Sequence, residues 1–253
     1  MAGHSKWSNI KHRKGAQDKK RAKEFMKAIK EITIAIKENN KNGDPETNPA
    51  LRNAIQNARG VNMPKENIDR AIKKASGADA DNYEEVSFEG YGPHGIGIFV
   101  DCMTDNPTRT VAIVRAIFNK YGGSLGTNGS LSFLFESQAV FTLSKEEISM
   151  DLDELQLELI EAGVEDFDIE EEVVVIYGPY NQFGKISEKL EELNLVPTNA
   201  GIKRIPLSTT ALEVDQAKDI LKIIDVFEDE DDIQEVYHNL ELTDELMEHL
   251  ANE

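Results

Sequence analysis

QAVFTLSKEEISMDLDELQLELIEAGVEDFDIEEEVVVIYGPYNQFGKISEKLEELNLVPTNAGIKRI, residues 138–205, switches repeatedly between two hydrophobic periods, and that switching decides the fold. Ala139–Leu143, Asp166–Glu170, Val173–Tyr177 and Thr198–Ile205 read as strands; Asp151–Ala162 and Tyr180–Leu193 read as helices. The order βαββαβ is the split βαβ, or ferredoxin-like, arrangement.

On its N-terminal side, residues 83–135 read as Val86–Phe88 (strand), Gly95–Met103 (strand), Asn106–Tyr121 (helix) and, after a glycine-rich turn, Leu131–Phe135 (strand). This set lacks a second helix and a partner strand. On the C-terminal side, Val214–Leu242 supplies one helix, with Ala217, Ile220, Leu221, Ile224 and Phe227 on its apolar face, and one strand, Ile233–His238. Two such elements cannot bury a core alone. The economical solution makes 83–135 with 207–245 one discontinuous α/β domain, into which 138–205 is inserted.

Residues 1–77 are helical in pattern after a basic arm. Phe25, Ile29, Ile32 and Ile36 share a face from Gln17 to about Asn40. Asn48–Pro49 is a cap followed by a first-turn proline, and a third helix begins near Pro64 and ends at Ser76–Gly77. The fold class is α+β: an N-terminal three-helix domain followed by two α/β domains, at least one ferredoxin-like and the middle one discontinuous.

Charge is segregated along the chain. Of 253 residues with a net charge of −19, residues 1–75 hold 18 Lys/Arg against 8 Asp/Glu, a net +10. The remainder is −29. The first 23 residues carry eight cations and one acid, Asp18, together with the only tryptophan. This pattern points to a polyanionic partner, nucleic acid, met by His4, Ser5, Lys6, Trp7, Lys11, His12, Arg13, Lys14, Lys19, Lys20, Arg21 and Lys23. Trp7 could instead belong to the helical core. No metal, cofactor or catalytic residue is expected. The lone Cys102 rules out an internal disulfide and reads as a buried thiol. No run is apolar enough for a membrane helix, and no secretory leader is apparent, so the cytoplasm is the expected compartment.

Other segments leave two readings each. EGYGPHGIG, residues 89–97, is a tight turn or a concavity for an anion or base with Tyr91 as platform. GGSLGTNGS, residues 122–130, is a plain loop or a presenter of backbone amides, and it lacks the ending of a P-loop. Arg109 lies in the first turn of a helix, where the dipole disfavours a cation, so it needs an internal carboxylate or a bound phosphate, and on the second reading it joins the nucleic-acid-binding set. The acids of FEDEDDIQE, residues 227–235, read as a solvated turn.

These residues give the chain a close resemblance, over nearly its whole length, to the YebC/PmpR family, which includes the mitochondrial translational activator of cytochrome oxidase subunit I. The signatures are MAGHSKWSNIKHRKGAQDKKRAKEF, NPALRNAI, NMPKENIDRAIKKASG, FEGYGPHG, TDNPTRT, GGSLGTNGS followed by FLF, and DIQEVYHN. The resemblance implies a cytoplasmic three-domain protein that is either a ribosome-associated translation factor, relieving stalls such as those at proline runs, or a DNA-binding transcriptional regulator. The sequence spells no helix-turn-helix with a base-reading helix, whereas an arm mixing cations with Trp and His suits irregular RNA. Ribosomal RNA is therefore the favoured partner and duplex DNA the alternative.

Overall fold

The structure is a computed structural model that describes residues 17–78 and 80–251. Most of the basic arm, including His4, Ser5, Lys6, Trp7, Lys11, His12, Arg13 and Lys14, lies outside the described residues. The described chain is mixed α and β and divides into two compact units. One comprises Asn82–Glu136 with the chain from Ile205 on; the other comprises Arg21–Asp81 with Ser137–Arg204.

The first unit is built from β1 (Glu84–Tyr91), β2 (Gly97–Thr104), α4 (Pro107–Lys120) and β3 (Ser124–Leu125), then from α7 (Val214–Glu228), β8 (Ile233–His238) and α8 (Asp244–Ala251). The sheet order is β3-β1-β2-β8, every pair antiparallel. The tail strand thus lies beside β2, and the unit is discontinuous in sequence. The pleat sorts the side chains of β2. Ile98, Val100 and Cys102 face Val114, Ile117 and Phe118 of α4 and Ile220, Ile224 and Phe227 of α7. Phe118 and Phe227 meet edge to face, 4.9 Å between centroids. Phe99 turns to the opposite face and packs with Tyr237, Leu131, Leu134 and Phe135.

Two expectations fail here. Leu131–Phe135 is not a strand: residues 128–134 form successive turns, closed by Leu134 N–H and Phe135 N–H donating to the Leu131 carbonyl at 2.9 and 3.3 Å. Leu131, Leu134 and Phe135 fall at i, i+3 and i+4, a helical spacing that a short apolar run disguises. The chain also does not end its structure near Leu242. The helix α8 follows, and its Leu246 is buried in the core beside α7.

The second unit joins α1 (Gln17–Glu38), α2 (Pro49–Gly60) and α3 (Lys65–Ala75) to β4 (Phe135–Ser144), α5 (Leu152–Glu161), β5 (Asp166–Ile169), β6 (Val173–Pro179), α6 (Phe183–Glu192) and β7 (Asn199–Pro206). The sheet order β5-β6-β4-β7 is the ferredoxin-like one. Its core is Phe141, Leu143, Val174 and Ile176 under Leu155 and Leu159 of α5 and Ile186 and Leu190 of α6.

The helices have their own core of Ile32, Ile36, Leu51, Ile55, Ala58, Ile68 and Ala71, with Phe25 and Ile29 at its margin. Asn48 caps α2, accepting from Leu51 N–H at 3.1 Å. Its amide also donates to the Ala35 and Asn42 carbonyls, so one buried side chain fixes the α1–α2 turn as well. From α2, Asn57 forms a two-way pair with the backbone of Ala200 on the edge strand β7. It donates to the carbonyl at 3.0 Å and accepts from the N–H at 2.9 Å. Gln56 donates to the Pro197 carbonyl at 3.0 Å. The backbone of Gly60 comes so close that a Cβ there would overlap the Thr198 carbonyl oxygen.

Candidate nucleic-acid interface

The helices α1 to α3 carry the described part of the basic segment. Lys19 and Lys20 belong to the first turn of α1. Arg21 is exposed and lies over the Phe25 ring, 5.4 Å from its centroid, while Lys23 is half-buried. Within these helices the expected set stops at Lys23, with Arg109 further along the chain, but Arg52, Arg59, Lys65, Arg70, Lys73 and Lys74 are also exposed. The net +10 of residues 1–75 was the signal for them. Part of this charge has a local cause. Arg59, Lys73 and Lys74 stand in last turns, where the helix dipole favours cations, and Lys74 also pairs with Asp81 at 2.6 Å.

Arg109 is tied to carboxylates. Its Nη2 donates to Asp232 Oδ2 at 2.7 Å and to Asp105 Oδ1 at 2.8 Å. The bond to Asp232, and after it the bond to Asp105, raise the pKa of the guanidinium. Asp232 Oδ2 also accepts from the hydroxyls of Thr104 at 3.0 Å and Thr110 at 2.9 Å. Asn106 caps α4 by accepting from Arg109 N–H at 3.0 Å. Of the two readings of Arg109, the geometry supplies the internal carboxylate. Asp232 in turn corrects the solvated-turn reading of the acidic run, because its side chain is only 14% exposed.

The two glycine-rich segments meet. Gly90 pairs with Leu125 and Tyr91 with Ser124, and Gly126 N–H donates to the Glu89 carbonyl at 2.7 Å. The Glu89 side chain, 5% exposed, accepts from Gly129 N–H and Leu131 N–H, each at 2.7 Å. Two of the loop amides, those of Gly129 and Leu131, are therefore held by a carboxylate of the chain itself. Tyr91 is packed against the Phe99 and Leu131 cluster. In the turn between β1 and β2, His94 has φ 60° and its ring stands 3.4 Å from Asp219. Gly97 N–H donates to Asn239 Oδ1 at 2.8 Å, and Asn239 Nδ2 donates to Thr210 Oγ1 at 3.2 Å.

The sequence signatures of this unit thus contact one another. TDNPTRT and DIQEVYHN join through Arg109 and Asp232; FEGYGPHG and GGSLGTNGS join through Glu89; and DIQEVYHN returns to residue 97 through Asn239. Cys102 is buried in the core. Among the described residues no cluster of His, Cys, Asp and Glu is arranged to hold a metal ion, and no helix is long and apolar enough to cross a membrane.

Two family models match the chain. Residues 5–78 match the TACO1/YebC protein N-terminal domain, and residues 83–240 match the TACO1/YebC second and third domain. A probable transcriptional regulatory protein of Geobacillus thermodenitrificans is 50% identical over 242 residues, covering 95% of this chain and 97% of the relative. The probable transcriptional regulatory protein YrbC of Bacillus subtilis is 50% identical over 241 residues, covering 94% and 99%. A conserved hypothetical protein of Aquifex aeolicus, known from its crystal structure, superposes with a TM-score of 0.78 at 38% identity, covering 88% of this chain and 91% of that one.

Proposed function

Starting from the premise that the chain belongs to the TACO1/YebC family, we propose that it regulates gene expression by binding nucleic acid through its basic N-terminal segment. The partner favoured here is ribosomal RNA, with the protein acting as a ribosome-associated factor that relieves stalled translation. The observation that carries this reading is the charge division, +10 in residues 1–75 against −29 in the rest. Such a chain attracts a polyanion most strongly through one segment, and that segment orients it on the target.

The arm residues His4, Ser5, Lys6, Trp7, Lys11, His12, Arg13 and Lys14, continued by Lys19, Lys20, Arg21 and Lys23, form the contact. Lys and Arg neutralise phosphates, and Trp7 stacks on an unpaired base, which irregular RNA supplies and an intact duplex does not. Arg109 is assigned instead to the joint with Asp232. Catalysis forms no part of the proposal, and the cytoplasm is the proposed compartment.

The second reading, a DNA-binding transcriptional regulator, is favoured by the names its relatives carry. Binding of ribosomal RNA fragments and of duplex DNA, compared between the native chain and the Lys11, Arg13, Lys14 triple reversal to Glu, tests both. With about six phosphate contacts, affinity falls roughly a thousandfold from 50 to 200 mM salt, and the reversal flattens that dependence. Tight binding independent of salt would remove the arm from the mechanism. Crosslinking in cells, with sequencing of bound RNA and bound DNA, decides between the two partners.

A further inference from the structure

The strands β1, β2, β3 and β8 hold Glu84, Glu85, Glu89, Asp101 and Glu235 and not one Lys or Arg. Strand alternation puts Glu85, Ser87, Asp101, Met103 and Glu235 on the sheet face turned away from α4 and α7. The loop of residues 128–135 covers one end of that face, over Phe99 and Tyr237. Toward the other end Glu85 and Ser87 are exposed, and Asp101, Met103 and Glu235 are partly exposed.

Asp101 stands directly opposite Glu235 across the β2–β8 ladder, and Ser87 Oγ donates to Asp101 Oδ1 at 2.6 Å from the β1 side. Like charges directly opposite one another, about 4.5–5.5 Å apart at Cβ, destabilise a sheet. A cationic cover would reverse the sign of that interaction. The body of the unit keeps its own cations elsewhere. Residues 82–136 and 205–253 contain five Lys/Arg, at positions 109, 115, 120, 218 and 222. All five stand on α4 or α7, which pack on the opposite face. Among the described residues no group of His, Cys, Asp and Glu is arranged to hold a metal ion there.

The first unit also takes in Gln17–Lys20, the start of α1. The chain before that point, residues 1–16, carries Lys6, Lys11, Arg13 and Lys14 and no acid. Sixteen residues reach roughly 50 Å when extended, about twice the length of β1 or β2. Length therefore does not limit the arm, and its charge complements the face.

We propose that the N-terminal arm docks on this acidic sheet face in the protein free of nucleic acid, and leaves it to bind a polyanion. Exposed ion pairs are individually weak, but a short tether holds the arm at an effective concentration in the millimolar range, so the dock is populated and releasable. Apparent affinity for a polyanion falls in proportion to the fraction of arms that are free, so weak, non-specific targets are refused first. The dock is a contact within the chain; only its competition with a polyanion rests on the nucleic-acid reading of the arm.

The test uses the full chain with Cys102→Ala and Ser8→Cys, carrying a nitroxide label at position 8. Without nucleic acid, at low salt, the amide signals of Ser87, Asp101 and Glu235 should broaden, and high salt should remove the effect. Adding Asp101→Asn and Glu235→Gln should also remove it with the fold kept, since Asn retains the oxygen that Ser87 uses. An equal charge change at exposed positions of α5, Asp153→Asn with Glu154→Gln, should leave it in place. In anisotropy titrations with a short fluorescein-labelled RNA, the sheet variant should bind about 3- to 10-fold tighter than the native chain, and the α5 variant should gain less. Broadening that is absent, or that falls on other acidic surfaces, overturns the dock and leaves the arm's nucleic-acid role intact. Equal tightening by both variants, or broadening that survives saturating RNA, overturns the competition. A chain that binds no RNA removes the nucleic-acid reading and the competition with it, while the broadening alone still decides the dock.

Discussion

The Glu89 carboxylate receives the Gly129 N–H at 2.7 Å across forty residues of chain and carries the link between two glycine-rich segments. The same carboxylate takes Leu131 N–H at an equal distance. A buried charge is costly unless hydrogen-bonded, and here two backbone donors satisfy it in a bond type about twice as strong as a neutral pair. The carboxylate occupies the place an external anion would take. These two amides thereby form an internal joint and are not offered to an external anion.

Removing that carboxylate should loosen the loop without unfolding the second unit. Glu89→Ala leaves two amides without their acceptor, and each unsatisfied buried donor costs about 1–3 kcal/mol. Glu89→Gln keeps one acceptor oxygen but turns an NH2 toward a donor, so it should be intermediate. Hydrogen exchange read by NMR is the direct measurement: Gly129 and Leu131 amides should exchange faster, in the order Ala, Gln, native. Unchanged exchange at both amides would dismiss the joint.

Asn57 offers a similar test in the second unit. Its side-chain amide answers both backbone groups of Ala200, as a neighbouring strand would, on the outer edge of β7. Asn57→Ala removes both bonds from a buried place and should cost about 2–3 kcal/mol. Gly60→Ala should act at the same contact by overlap with the Thr198 carbonyl. Urea unfolding followed by hydrogen exchange should show lost protection in α1–α3 and β7, with residues 82–136 retaining theirs. Equal loss throughout the chain would mean that the contact is not local to this unit.

Periodic elements were legible in the sequence because each writes its own pattern. Ile32 and Ile36 are in the helical core, Asn48 caps α2, and Ile233–His238 is a strand as read. The return of that strand to the middle sheet followed from counting elements too few to bury a core. What stayed hidden depends on distant partners. Nothing beside Asp232 in sequence announces Arg109, and its neighbours 228–231, all acidic, suggested solvent. Nothing near Glu89 announces residues 129 and 131. The helix α8 is too short to show a period, yet Leu246 is buried in the core and Thr243 Oγ1 accepts from its N–H at 3.3 Å. Of the proposed interface, the sequence displays the charge and the single Trp7; in the middle domain, residues 131–134 read as a strand and are turns.

The last prediction separates RNA from DNA at Trp7. If its ring stacks on an unpaired base while Lys6, Lys11 and Arg13 hold flanking phosphates, Trp7→Ala should weaken binding to structured RNA by about 1–3 kcal/mol. Its effect on duplex DNA should be much smaller, because phosphate contacts dominate there and no base is available to stack. Trp7 is the only tryptophan, so its emission reports on the arm alone. Titration with RNA should quench it more than titration with duplex DNA carrying the same charge. Equal quenching and equal loss of affinity for both ligands would remove the preference for RNA and leave the transcriptional reading as the stronger. A Trp7→Ala chain that unfolds would place the ring in the helical core and return the arm's recognition to its cations.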